Sequence, residues 1–93
     1  MFFYTYVLQS IRDDKFYIGY THNLSKRIEE HKDGKVSSIK SRLPIRLIYY
    51  EMCTDENDAK RRERYLKTTQ GRRFLGLRLL EYGRKRKALG SRR

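Results

Sequence analysis

The 93-residue chain predicts one small α/β domain of the α+β kind, with three strands and about three helices. Three observations carry that reading. Residues 2–9, 16–20 and 45–52 are rich in aromatic and β-branched side chains, which suit a pleated, half-buried surface. Apolar residues recur at helical spacing between residues 24 and 31 and again from Ala59 to Leu66. The gap between the first two strand-like runs is short and polar, so an antiparallel hairpin is the simplest connection.

The first strand runs from Phe2 to Gln9 and the polar turn Arg12-Asp13-Asp14-Lys15 follows. Strand character resumes at Phe16-Tyr17-Ile18-Gly19-Tyr20. Tyr4, Tyr6 and Leu8 share one face of the first strand, and Tyr17 and Gly19 share one face of the second. A turn with an even number of residues puts Tyr6 and Tyr17 on the same face, and an odd one separates them.

Thr21 or Asn23 can cap a helix that Gly34 stops. Leu24, Ile28 and His31 form its apolar-side stripe and Arg27 lies beside it, so two basic groups turn toward the core. Residues 36–43 read as loop. Pro44 precedes the third strand, Ile45 to Met52. Asp55 to Asp58 is an acidic helix start, favourable at the positive end of the helix dipole. That helix continues to about Lys67, with Glu63 on the side of Ala59 and Leu66. A last helix, about Gly71 to Tyr82, carries Phe74, Leu75, Leu77, Leu79 and Leu80. Residues 1–83 are expected to form the domain and 84–93 a loose basic tail.

Composition narrows the partner. A domain of this length buries roughly 60–70% of its unfolded surface, so its core is thin. The hydrophobic share is 38% and the mean hydropathy −0.92, yet eight Tyr and four Phe supply large apolar area. The single Cys53 excludes an internal disulfide and a cysteine zinc site, and reads as a half-buried small residue. No stretch is apolar enough to span a membrane and no signal-peptide layout opens the chain, so a cytoplasmic location and no membrane partner are expected.

The net charge is +12. Residues 1–59 hold nine Lys/Arg against nine Asp/Glu, whereas residues 60–93 hold fourteen Lys/Arg against Glu63 and Glu81. A cluster of this kind is the footprint of a polyanion, and nucleic acid fits it better than lipid because no clean apolar helix face accompanies it. The expected phosphate contacts are Lys26, Lys40, Arg42, Lys67, Arg72, Arg73, Arg84, Lys85, Arg86 and Lys87, with salt-dependent binding.

The polar residues that the pattern turns inward are Tyr6, Tyr17, Arg27, His31 and Glu63. No carboxylate pair, Ser-His-Asp set, Gly-rich phosphate loop or zinc spacing occurs. One carboxylate, one arginine and phenols beside a basic surface suit phosphodiester cleavage. The carboxylate can hold one Mg²⁺ that keeps most of its waters, and the arginine can grip a phosphate oxygen.

These residues carry a resemblance. Tyr4-Thr5-Tyr6-Val7-Leu8, followed by Tyr17-Ile18-Gly19, resembles the GIY-YIG nuclease superfamily. The stretch from Tyr20 to His31 is similar to that family's helix with its Arg, and Ala59 to Lys67 to the segment bearing its metal-binding Glu. The order and spacings agree over most of residues 3–82. The small stand-alone bacterial-type members match best, with the nuclease domains of excision-repair and phage homing endonucleases less close.

The resemblance implies a three-stranded antiparallel sheet flanked by helices, and a metal-dependent endonuclease acting on DNA in preference to RNA, structured or single-stranded DNA included. It also implies roles: Tyr17 as general base or water-orienting phenol, Tyr6 supporting it, Arg27 on the phosphate, His31 positioning or deprotonating, and Glu63 on Mg²⁺ or Mn²⁺. Two departures stand out. Tyr4-Thr5-Tyr6 lacks the Gly of the family name. No Asn follows Asn57, where many family nucleases carry one beyond the metal Glu, and Gln70 is a substitute at short spacing. The alternative reading is therefore a non-catalytic nucleic-acid-binding module with a vestigial site.

Overall fold

A computed structural model describes residues 1–90, the side chains of 88–90 excepted. The chain divides into two compact units, Met1–Glu63 and the segment from Arg64 onward.

The first unit is built on a three-stranded antiparallel sheet of order β2-β1-β3, with β1 at Phe3–Ser10, β2 at Phe16–Thr21 and β3 at Ile45–Cys53. The β1–β2 register pairs Tyr6 with Gly19 and Leu8 with Tyr17. Six residues separate the last pair, Gln9 and Phe16, so the connection is even and Tyr6 and Tyr17 do share a face. A register shift between Val7 and Leu8 marks an irregularity against β3.

As the central strand, β1 is buried on both faces from Thr5 to Ser10. Tyr6 and Leu8 pack with Ile28, Ile39 and Ile45. Each such aliphatic side chain taken from water contributes roughly 1.5–3 kcal/mol. The opposite face meets the helix that follows β3: the Thr5 hydroxyl donates to the Ala59 carbonyl at 2.9 Å. Ser10 anchors the β1–β2 turn, donating to the Arg42 carbonyl at 2.7 Å and accepting from the amides of Arg12 and Asp13. Buried polar groups on this strand are thus satisfied rather than orphaned.

Helix α1, Leu24–Lys32, is capped by Asn23, whose side chain accepts from the Lys26 amide at 3.1 Å. Of the two expected caps it is Asn23 that closes the helix. Thr21 instead bonds Asn23 itself, accepting from its amide at 3.1 Å. The chain leaves α1 through Asp33 and Gly34, which takes φ +74°, a conformation a side chain disfavours.

Two expectations about helices need correction. Residues 36–43 are not all loop: Ser37–Lys40 form a one-turn helix, α2. Its driving force is the burial of the single residue Ile39, beside Val36 and Leu43, which leaves no periodicity to read. The last helix is also two: α4, Thr69–Arg78, and α5, Leu80–Gly90, broken at Leu79. The leucine run therefore does not form one buried stripe. Leu75 is buried, whereas Leu77 is 71% exposed and Leu80 44%. No Gly or Pro punctuates Leu79, so the break left no mark in the sequence.

Helix α3, Glu56–Leu66, starts with Glu56 and Asp58 in its first turn, as the acidic run predicted. In the second unit, Thr68 caps α4 by accepting from the Gly71 amide at 3.1 Å. The basic run Arg84–Lys87 lies on α5; Arg92 and Arg93, expected in the loose tail, lie outside the described residues.

Asn23→Ala removes the α1 cap and is expected to cost about 1 kcal/mol of unfolding free energy. Urea denaturation followed by circular dichroism measures this, and an unchanged midpoint contradicts it.

Candidate active site

The centre of the site is Tyr6, 3% exposed on the middle strand. Its hydroxyl is 2.9 Å from His31 Nε2, and Arg27 donates its Nε–H to the same oxygen at 3.4 Å. Arg27 and His31 sit one turn apart on α1, so one helix face presents both groups to one phenol. The Tyr6 and His31 rings meet edge-on with centroids 5.7 Å apart.

Gly19, across the ladder from Tyr6, makes this possible. A Cβ there would overlap the Tyr6 hydroxyl and ring. The phenol lies over the glycine, which brings it toward α1. The glycine between Ile18 and Tyr20 is thus explained by close approach of a ring rather than by backbone conformation.

Burial pushes the Tyr6 phenol above its ordinary value of 10. The hydrogen bond and positive charge of Arg27 pull the other way, while the charges of Glu63 and Glu30 add to the rise. Burial also lowers the His31 imidazole below its ordinary 6.5, and the Arg27 charge lowers it further. His31 is therefore neutral at pH 7. Its Nδ1 is buried and has no hydrogen-bond partner.

Arg27 is half-buried and also pairs with Glu30 at 3.3 Å. Its guanidinium borders a cleft of about 320 Å³ lined by Tyr20, Thr21, His22, Asn23, Lys26 and Glu30 besides Arg27 itself. Tyr20 hydrogen-bonds Glu56, which with burial pushes its phenol up to about 12. The Lys60 ammonium lies 5.5 Å from the centre of the Tyr20 ring.

Of the five residues singled out by sequence, Tyr6, Arg27 and His31 come together. Glu63 is half-buried on α3, the helix that crosses the other sheet face, and its negative charge is felt at both Tyr6 and Tyr20. Tyr17 is on the face of Tyr6 and packs against the same apolar cluster. Its hydroxyl, however, donates to Asp13 Oδ2 at 3.4 Å, at the β1–β2 turn, and not to Arg27 or His31. Sequence reasoning missed Tyr20 and Glu30. Glu30 was legible as the i+3 partner of Arg27.

The residues expected on phosphate are scattered over both units. Lys26 is exposed at the cleft. Lys40 and Arg42 are exposed at and after α2, and Arg42 pairs with Asp13 at 3.5 Å. In the second unit Lys67, Arg72, Arg73, Arg84, Lys85 and Lys87 are exposed and Arg86 is half-buried, with Arg84 3.1 Å from Glu81.

Residues 2–75 match the family of the GIY-YIG catalytic domain. The chain therefore belongs to the GIY-YIG family, whose members form a nuclease superfamily. Among its relatives it is similar to the UPF0213 proteins. That of Bacillus licheniformis is 43% identical over 65 residues, covering 69% of this chain and 66% of the relative. That of Limosilactobacillus reuteri is 37% identical over 84 residues, 87% of this chain and 85% of the relative. The solution NMR structure of a UPF0213 protein from Bacillus halodurans shares the fold, with a TM-score of 0.50 and 29% identity over 81% of this chain and 82% of that one.

The low His31 value has a consequence for stability. The unfolded imidazole titrates near 6.5 and the folded one below it, so the unfolded chain binds more protons in that window. Stability present above pH 6.5 is lost as the pH falls toward the folded value. NMR titration of the His31 ring in the native protein is expected to give a midpoint below 6.5. Gly19→Ala, which displaces Tyr6 and opens the ring to water, is expected to move it upward. A native midpoint at or above 6.5 contradicts the burial argument.

Proposed function

We propose that the protein is an endonuclease that hydrolyses phosphodiester bonds in DNA with the help of one divalent metal ion. The observation that carries this is the convergence of Arg27 and a neutral His31 on the buried Tyr6 hydroxyl, with Arg27 also lining a cleft of about 320 Å³.

Among the described residues no cluster of three or more His, Cys, Asp and Glu exists. That donor set fits an ion held by one carboxylate and the substrate's own phosphate, the manner of Mg²⁺ with most of its waters retained. Glu63 is the residue that would hold Mg²⁺ or Mn²⁺. When bound, such an ion polarises the scissile phosphate as a Lewis acid.

The chain's own groups then divide the work. Arg27 grips a non-bridging phosphate oxygen and stabilises charge that grows in the transition state. Tyr6, its phenol raised above 10, is a poor resting phenolate and works through His31 instead. As the attacking water forms its bond to phosphorus, its proton passes to the Tyr6 oxygen and the Tyr6 proton passes to His31 Nε2. The bond to the leaving oxygen breaks, and that oxygen takes a proton from solvent. His31 can receive the proton because burial keeps it neutral. Tyr17 supports the ring of Tyr6 through the shared apolar cluster, since its hydroxyl is engaged by Asp13. Lys26 beside the cleft and the basic residues of the second unit supply the general attraction for phosphate.

The test is cleavage of duplex, branched and single-stranded DNA, with RNA alongside, in Mg²⁺ or Mn²⁺. Arg27→Ala and Glu63→Ala are each expected to lower the rate by about 100-fold or more. Tyr6→Phe is expected to cost far more than Tyr17→Phe, and the rate to fall as His31 becomes protonated below pH 6.5. Absence of cleavage with every metal and substrate overturns the enzyme reading. The reverse order of the two tyrosine variants returns the reacting phenol to Tyr17.

A further inference from the structure

The apolar packing on the Tyr6 face of the sheet stops short of the strand ends. Its cluster comprises Tyr6, Leu8, Ile28, Ile39 and Ile45 with partly buried neighbours, and Tyr4, Tyr50 and Met52 lie outside it. In the β1–β3 ladder Tyr50 stands opposite Tyr6 and Met52 opposite Tyr4, so all four share that face. Tyr50 is 49% exposed and Met52 55%. The Tyr4 and Tyr50 rings contact each other at 6.0 Å and 60°. Tyr6 itself lies across Gly19, toward β2, and so away from the Tyr50 ring.

Charge on this face is also particular. Glu51, between Tyr50 and Met52, points to the opposite side, where Arg62 binds both its carboxylate oxygens at 2.9 and 3.0 Å. The residues that share the Tyr6 face by register are Tyr, Leu, Ser, Gly, Thr, Ile and Met, without a carboxylate among them. No strand residue on this face therefore opposes a phosphate chain; the carboxylate beside Arg27 is Glu30 of α1, at 3.3 Å.

We propose that Tyr50, braced by Tyr4, is a platform on which an unpaired base of single-stranded nucleic acid stacks beside the bond held at Tyr6 and Arg27. The inference rests on the nuclease reading and adds a substrate class to it. A base in a duplex already has neighbours on both faces, whereas an unpaired base offers a free π-face to an exposed ring. A second copy of the chain or a folded protein suits this patch less well. Three half-exposed side chains supply far less than the roughly 800 Å² per partner of a stable protein interface.

The experiment measures binding without turnover, in EDTA, of a short single strand carrying 2-aminopurine and of a blunt duplex of the same sequence. The unmodified protein is expected to quench the 2-aminopurine of the single strand. Tyr50→Ala and Tyr50→Leu are each expected to weaken single-strand binding by about tenfold and to abolish quenching. Duplex affinity and the salt dependence are expected to hold within about twofold, since the phosphate contacts are untouched. Tyr50→Phe keeps the ring and is expected to bind as the unmodified protein does. Circular dichroism of each variant establishes that it is folded, and the leucine variant keeps the apolar volume if alanine does not fold. Equal binding by the leucine variant, or equal loss on single strand and duplex, overturns the platform and leaves the nuclease reading standing. Stacking without cleavage in any metal overturns the enzyme and leaves the platform. Failure of both nucleic acids to bind the unmodified protein overturns both.

Discussion

The first unit depends on one contact, the seating of the Tyr6 phenol over Gly19 and against His31. It is at once a packing contact, a strand-to-helix tie and the centre of the candidate site. Gly19 clears the space, the central strand supplies the ring, and α1 supplies the imidazole at 2.9 Å and the guanidinium at 3.4 Å. Each group alters the others: burial that suits packing also raises the phenol and lowers the imidazole, so structure and acid–base behaviour have one cause.

Much of this was legible in the sequence, because the pattern periods are strong where the residues are half-buried. The alternation of β1 and β2 told which residues share a face, and only the parity of the turn was needed to bring Tyr6 and Tyr17 to the same side. The helical spacing of Leu24, Ile28 and His31 turned Arg27 toward the sheet correctly. The position of the Tyr17 hydroxyl was not legible. Sharing a face fixes the direction of a Cβ, while the far end of a tyrosine is set by a local acceptor, here Asp13. The short α2 and the break at Leu79 were hidden for a related reason. Each is decided by what one residue packs against, and a single residue has no period.

The basic charge has a similar lesson. By sequence it is a cluster of fourteen Lys/Arg against two Glu from residue 60 onward. In the folded chain part of it is spent locally: Arg61 pairs with Asp58 at 2.9 Å, Arg62 with Glu51 at 2.9 Å and Arg84 with Glu81 at 3.1 Å. The exposed pairs contribute little to stability. Arg62 differs, because it grips both oxygens of the half-buried Glu51, which strand alternation places on the sheet face opposite Tyr6.

The central position of β1 also bears on how the site can come apart. Fraying of a domain begins at its ends and edges, where few hydrogen bonds must break together. Tyr6 is bonded through its strand to β2 on one side and β3 on the other, and both sheet faces above Thr5 and Tyr6 are covered. Exposing Tyr6 therefore requires an edge strand or α1 to leave its place in the unit. Amide exchange at Tyr6 and Val7 should therefore report global unfolding.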